Sequence, residues 1–428
     1  MFGERWQRII STQGDATALW HPHGSYTFRE LEAAARRLPL STCPRLGAFY
    51  LAQGDGLQVA TALLAAFLTG KPVQVVERDR TRRIPNCRPP RYTALVKQTV
   101  GSSGQRRCQF FSFSQITADV DRLYEVMSLR ERGVAVAAIS VAHSYGLTTT
   151  LLPMLLHGMP VHWLPTPFPS AVTEALTMHR RLFLPSVPAV WKAWLSAGLD
   201  LSKVTLAVSA GSPLSAQLEY QVRENLGLKL HNLYGTSEGG AISYDASEDP
   251  RPDDSCMGAL LPGIQAVTDP QGRLLVKSDA VGLGYDETLP GEDFGNGRHL
   301  TWDRVNLEPT GLNYLECVGA GINVASRKLS PEEIADRIRA ATGVRHIRVH
   351  GITSRDPERV QDVVACLDIP AEHLTPAFKA RACQALAPWE VPRQWRIGQP
   401  SLEDRRHAAP RNEMPLNGFS EGDAIPIG

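Results

Sequence analysis

An α/β fold is what this sequence predicts, and three observations carry the expectation. Seven short apolar runs rich in valine and leucine recur through the first three quarters of the chain, at residues 46–51, 73–76, 134–141, 161–164, 181–184, 204–208 and 228–233. Most are apolar along their length instead of alternating, as strands buried on both faces of a parallel sheet are. Longer stretches with helical apolar spacing separate them, which is the βα rhythm of that class.

The first of these helices is expected over 56–69, between the first two runs. Gly70, followed by Lys71 and Pro72, supplies its stop before the strand at Val73. Turn-forming residues cluster at 248–255 and again at 290–297. Beyond Gly319 the texture changes. Ser330-Pro331-Glu332-Glu333 reads as a helix N-cap, a proline at the first position and two acids in the first turn, opening an amphipathic helix to about Ala341. Strands near 347–349 and 363–367 and a helix near 376–387 follow. The chain is therefore expected to divide into a large α/β domain, 1–318, and a smaller α+β domain, 319–428, with a hinge at 318–321.

Composition narrows the class of function. The chain has 428 residues, of which 43% are hydrophobic and 21% charged, the balance of a globular protein with a sizeable core. Forty-five basic residues against forty-four acidic ones leave a net charge of +1, so no broad field awaits nucleic acid or an anionic membrane. Any anion must be held locally. The basic run 78–83 is broken by Asp79 and borders prolines, as a solvated loop does. Seven scattered cysteines, odd in number and never spaced C-x-x-C, favour reduced thiols over disulfides or zinc. The start, MFGERWQRIISTQGD, lacks an apolar run long enough for a signal peptide, and no later segment reaches the span of a membrane helix. A cytoplasmic location is the expectation.

The stretch TVGSSGQRR, from Thr99 to Arg107, packs two glycines, three hydroxyls and two arginines into nine residues. Such a segment serves either as a phosphate cradle, with backbone N–H groups turned toward an anion, or as an ordinary solvated turn. Four further segments bear on the choice. Ser209-Ala210-Gly211-Ser212-Pro213-Leu214 follows one apolar run, and Leu233-Tyr234-Gly235-Thr236-Ser237-Glu238-Gly239-Gly240 follows the next. Gly258-Ala259-Leu260-Leu261-Pro262-Gly263 precedes a short β pattern, and His299-Leu300-Thr301-Trp302-Asp303 comes shortly before the expected hinge. Read singly, Tyr234 is equally a core aromatic, Glu238 and Asp303 are equally solvated acids, and His143 is equally a structural histidine.

In order and spacing these segments resemble the adenylate-forming superfamily of acyl-CoA synthetases, peptide-synthetase adenylation domains and luciferases. The resemblance runs from Ser25-Tyr26-Thr27-Phe28 to the lid-like segment 322–334, in a chain short for that family. It implies activation of a carboxylate by ATP and Mg2+ to an acyl-adenylate, usually followed by transfer to the thiol of CoA or of a carrier protein. It further implies site roles. Thr99, Gly101, Ser102, Ser103 and Gly104 would line the β- and γ-phosphates, with Arg107 where a lysine is usual. Glu238 would be the magnesium-linked acid, and Ser237 would place a hydroxyl near the α-phosphate where threonine is usual. Tyr234 would stack on adenine beside Gly211 and Ser212, with Gly235 and Thr236 in the same motif. Asp303 would accept from the ribose hydroxyls. His143 would gate the acyl pocket. Relatives that activate amino acids carry an aspartate at the position of His143; residues 138–147 hold no acid, so an aryl or fatty acid is the expected substrate.

The C-terminal part departs from the family pattern. Residues 316–321 lack the usual hinge arginine and acid, Ser326 replaces the usual glycine of the thiol-access loop, and Leu416 stands where a catalytic lysine is expected, with Arg411 nearby. Three readings follow: a working ligase with a rearranged lid, an enzyme specialised for the thiol-transfer half, or a binding or scaffold protein.

Overall fold

A computed structural model, describing residues 2–78, 82–100, 106–289, 291–319 and 321–398, places the apolar runs in two sheets. Among the described residues the first sheet has nine strands. In order across it they are Ala259–Leu260, Gly240–Tyr244, Leu230–Thr236, Val204–Ser209, Leu182–Ser186, Val134–Ala137, Val161–Trp163, Thr17–His21 and Gly24–Thr27. The six from Leu230–Thr236 to Thr17–His21 run parallel, and the outer strands are antiparallel. Alternate residues of the central strands enter different cores. Val134 and Val136 pack with Trp191, Trp194 and Leu218, whereas Ala135 and Ala137 join Leu63, Leu64 and Leu155. Burial on both faces is the reason these strands read as unbroken apolar runs.

The second sheet has six strands in the order Gly284–Tyr285, Arg106–Ser112, Thr93–Val100, Val73–Val76, Gly47–Gln53 and Ser41–Cys43. The helix Gly56–Thr69 spans the expected residues. Asp55 and Gln58 form its capping box and Gly70 closes it at φ 66°. Its apolar face enters the larger core.

Three differences from expectation have physical causes. The run at 134–141 is a strand only to Ala137, because the Ala138 N–H turns back onto the Val136 carbonyl at 2.9 Å and leaves the ladder. A helical turn, Ser144–Gly146, and a π-helical turn, Leu147–Leu151, follow before the helix Leu152–His157. The region 265–317, where the sequence suggested only a short β pattern, holds a five-stranded antiparallel sheet built from Gln265–Thr268, Arg273–Lys277, Arg298–Glu308, Phe294–Gly295 and Gly311–Cys317. Apart from the buried apolar residues 274–276, its strands mix buried and exposed positions, so they carry no long apolar run.

The last described part contains the strands Ile347–Thr353, Gln361–Leu367 and Gln394–Ile397 in one sheet and the pair Ile322–Val324 and Arg327–Leu329. The helices Pro331–Thr342 and Pro376–Gln384 lie with them, and Ile322, Ile334, Ile338, Val349, Val363 and Ala382 make a core of their own. Ser330 caps the first helix by accepting from the Glu333 N–H, as its sequence implied. Of the expected hinge 318–321, Ala320 lies outside the described residues, as do Asp79–Thr81 of the basic run, Pro290 and the whole of 399–428, including Arg411 and Leu416.

Candidate active site

The two ends of the stretch TVGSSGQRR lie on paired strands. Thr99 and Val100 end one strand, Arg106 and Arg107 begin its antiparallel partner, and Gly101, Ser102, Ser103 and Gly104 lie outside the described residues. A hairpin, made by Leu230–Thr236 and Gly240–Tyr244, carries Tyr234, Gly235 and Thr236 on its first strand and Ser237 and Glu238 at its tip. Local chemistry fixes that tip. The Thr236 hydroxyl accepts from the Gly239 N–H at 2.9 Å, and Gly240 sits at φ 73°. A Cβ at Gly240 would lie 2.6 Å from the Asp119 carboxylate, so only glycine fits. Asp119 in turn accepts from the Ala241 N–H at 2.9 Å, tying the tip to the helix Phe113–Val126.

Glu238 is buried and well supplied with donors. Its Oε1 accepts from Gln109 Nε2 at 2.7 Å and from the Tyr285 hydroxyl at 2.6 Å, and its Oε2 lies 3.8 Å from His299 Nε2. Burial alone opposes ionisation, but His299, the Tyr285 hydroxyl and Lys97 outweigh it and hold the carboxyl below its ordinary range. His299 itself is pushed down by burial. The carboxylate is thus kept ionised in a site with little water.

Lys97 lies on the strand paired with Gln109. Its ammonium donates to Ser144 Oγ at 2.9 Å and to the Ser237 carbonyl at 3.1 Å, over the Phe111 ring at 3.9 Å. It thereby joins the segment of His143, which precedes the turn Ser144–Gly146 as a half-buried residue, to the segment of Glu238. At the root of the hairpin the Tyr234 hydroxyl donates to Asp303 Oδ2 at 2.8 Å. Gly211 and Ser212 face the turn Ala325–Ser326: the Ser212 and Ser326 hydroxyl oxygens are 2.7 Å apart. Both turn residues are left-handed, at φ 48° and 70°, which accounts for a preference for glycine there.

Arg107 departs from the phosphate-facing role that the resemblance implied. Its guanidinium is 1% exposed and pairs at both ends with the Glu292 carboxylate, 2.5 Å each, while also donating to the Glu287 carbonyl at 2.9 Å. It lies 3.7 Å over the Tyr285 ring, whose hydroxyl reaches Glu238. A planar fork in a water-poor place matches a carboxylate in just this way, so its charge is already taken up.

Sequence reasoning missed Lys97, Gln109, Asp119, Tyr285 and His299. Lys97 and Gln109 did leave a signal: each is a long polar side chain set among buried neighbours, Leu95 and Val96 in one strand and Cys108 and Phe110 in the other. A buried polar residue in a strand needs a partner: Gln109 finds Glu238, and Lys97 finds Ser144 and the Ser237 carbonyl.

The chain belongs to the AMP-binding enzyme family, whose model matches residues 54–285. It is 21% identical over 343 residues to a long-chain-fatty-acid–CoA ligase of Bacillus subtilis, covering 74% of this chain and 60% of that protein. It is 25% identical over 325 residues to a 4-hydroxybenzoate–CoA/benzoate–CoA ligase of Rhodopseudomonas palustris, covering 69% and 60%. The chain thus spans about three fifths of the length of these relatives. Its fold is that of o-succinylbenzoate CoA synthetase from Bacillus subtilis, with a TM-score of 0.76 at 16% identity over 92% of this chain and 94% of that one. No helix among the described residues is long and apolar enough to cross a membrane.

Proposed function

We propose that this chain activates a carboxylic acid other than an amino acid, an aryl or fatty acid, by adenylation, and passes the acyl group to the thiol of CoA or of a carrier protein. The observation that carries this reading is the hairpin made by Leu230–Thr236 and Gly240–Tyr244. One short stretch presents Tyr234 beside Asp303 at its root and Ser237 and Glu238 at its tip. That is the order in which adenine, ribose and phosphates would lie along a single ATP molecule. In the reaction a carboxylate oxygen attacks the α-phosphorus of ATP, the bond to the bridging oxygen breaks, and pyrophosphate leaves. Asp303 would hold the ribose, Tyr234 the adenine face beside Gly211 and Ser212, and the segment from Thr99 to Gly104 the polyphosphate.

The donor set fits Mg2+ in a limited way. Among the described residues no group of three acids, histidines or cysteines could cage a metal. Glu238 offers one hard oxygen site, and a magnesium ion shared with substrate phosphates needs little more from the protein. Residues 1–318 would bind ATP and the acid, and 319–428 would act as the lid, its Ala325–Ser326 turn already resting on Ser212. A cytoplasmic setting, where the thiols stay reduced, completes the proposal.

ATP–pyrophosphate exchange over a panel of aryl and fatty acids tests it. Exchange with at least one acid is expected, and Asp303→Ala should raise the KM for ATP by about tenfold or more, the loss of roughly one charge-assisted hydrogen bond. No exchange with any acid would sink the reading.

A further inference from the structure

Lys97 is set apart from the other deeply buried cations of the chain. Lys229 is matched to Glu219 and Asp245, Arg251 to Glu219, and Arg107 to Glu292. Among the described residues Lys97 forms no ion pair; its partners are the neutral oxygens of Ser144 and Ser237 and the face of Phe111. Burying an ammonium without a carboxylate is costly, and a chain that tolerates the cost places the charge where an anion will arrive. The charged groups that act on it across space are Asp119, from the helix Phe113–Val126, and Glu238 at the hairpin tip, and both favour the ammonium against burial.

Its position says which anion. Ser144 adjoins His143, on the side assigned to the acid, and Ser237 adjoins Glu238, on the side assigned to the nucleotide; the Lys97 ammonium touches both. Ser144 is half-exposed as a residue, and its hydroxyl marks where an incoming oxygen can lie beside the ammonium or take its place.

We propose that Lys97 is a catalytic residue whose ammonium binds the reacting carboxylate of the acid substrate where that carboxylate meets the α-phosphate. The inference rests on the adenylation reading above. As the carboxylate oxygen bonds to the α-phosphorus and pyrophosphate departs with the electron pair of the broken bond, Lys97 keeps its proton and offsets the negative charge gathered between the two groups. It thereby supplies, from the N-terminal part of the chain, a cation that position 416 does not.

The test compares full-length wild type with Lys97→Met and Lys97→Arg in pyrophosphate exchange and in thermal melting. Replacing a buried charge by an apolar side chain of similar length usually leaves stability unchanged or raised, so Lys97→Met should melt no lower than wild type. Its exchange rate should fall about one hundred to one thousandfold, as for other preorganised groups that stabilise developing charge, with Lys97→Arg intermediate. Exchange in Lys97→Met within about threefold of wild type overturns the inference and leaves the adenylation reading standing. A change of preferred acid at undiminished kcat also overturns it, since the ammonium would then read another part of the substrate. If Lys97→Met does not fold, Lys97→Gln replaces it, keeping hydrogen bonds without charge; exchange equal to Lys97→Arg overturns the inference. A wild type that exchanges with no acid removes the adenylation reading, and this inference with it.

Discussion

A single lysine shows how burial and electrostatics set a measurable signature. Burial lowers Lys97 from 10.5 to about 8, with Asp119 and Glu238 pulling in the opposite direction. The folded chain therefore gives up this proton before the unfolded chain does. Below pH 8 both states hold it and the folded state bears the full penalty, about 3 kcal/mol at most for a shift of this size. Between pH 8 and 10.5 the unfolded chain binds more protons, so this group makes the fold more stable as pH rises. Urea melts at pH 7 and pH 9.5 should show Lys97→Met ahead of wild type at the lower pH, with the gap narrowing at the higher. A constant gap would mean that the ammonium is not buried as described. At this scale the sequence set Tyr234 and Asp303 in separate motifs, and the structure joins them in one hydrogen bond. Arg107 was misread because its partner Glu292 lies 185 residues away, beyond anything local spacing reveals.

Elements were most legible where the chain carries its own punctuation. Gly70 marked the end of the helix Gly56–Thr69 and Ser330 the start of the helix Pro331–Thr342, because caps are local features between residues three or four apart; Asp55 and Gly343 complete the two pairs in the structure. Ser330 is buried as well as capping, so Ser330→Ala should cost about 1 kcal/mol in chemical denaturation, and restoring a cap with Ser330→Asp should recover part of it. No loss would show that the Glu333 N–H finds another acceptor. The five-stranded antiparallel sheet was not legible for the converse reason. The long strand Arg298–Glu308 pairs with three others through backbone groups that every sequence possesses, and its side chains are mixed in burial. Hydrogen-bond ladders leave little mark on composition unless one face is consistently apolar. The π-helical turn Leu147–Leu151 was hidden in the same way, inside a run that looks like any buried helix.

At the scale of the whole molecule, polar contacts join the last described part to the rest. Arg106 pairs with Glu333 at 2.8 Å, Lys192 with Asp356 and Glu358 at 2.9 Å each, and Ser215 donates to Glu358 at 2.9 Å. Each half-exposed pair is worth about 0.2–1 kcal/mol and is screened by salt. Lys192→Glu places a third negative charge beside Asp356 and Glu358. Hydrogen exchange in that variant should speed up several-fold at residues 354–360 and leave the central sheet strands 182–186 and 204–209 unchanged. An unaltered pattern would mean that the two parts are held by something other than these contacts. The last described part has a core of its own beyond the change of texture after Gly319, but its docking left no local sign, since it depends on surface charges meeting across more than 100 residues of chain.

The contacts that define the site are long in sequence. Lys97 and Ser237 are 140 residues apart, and Gln109 and Glu238 are 129 apart. Loops of that size must close before any of these groups meet, and folding slows as contacts become less local. Helices and their caps can form early and alone, whereas this cluster cannot exist in a partly assembled chain. A newly made polypeptide therefore gains its secondary structure well before it gains this cluster, and an assembled cluster becomes a check on the completeness of folding.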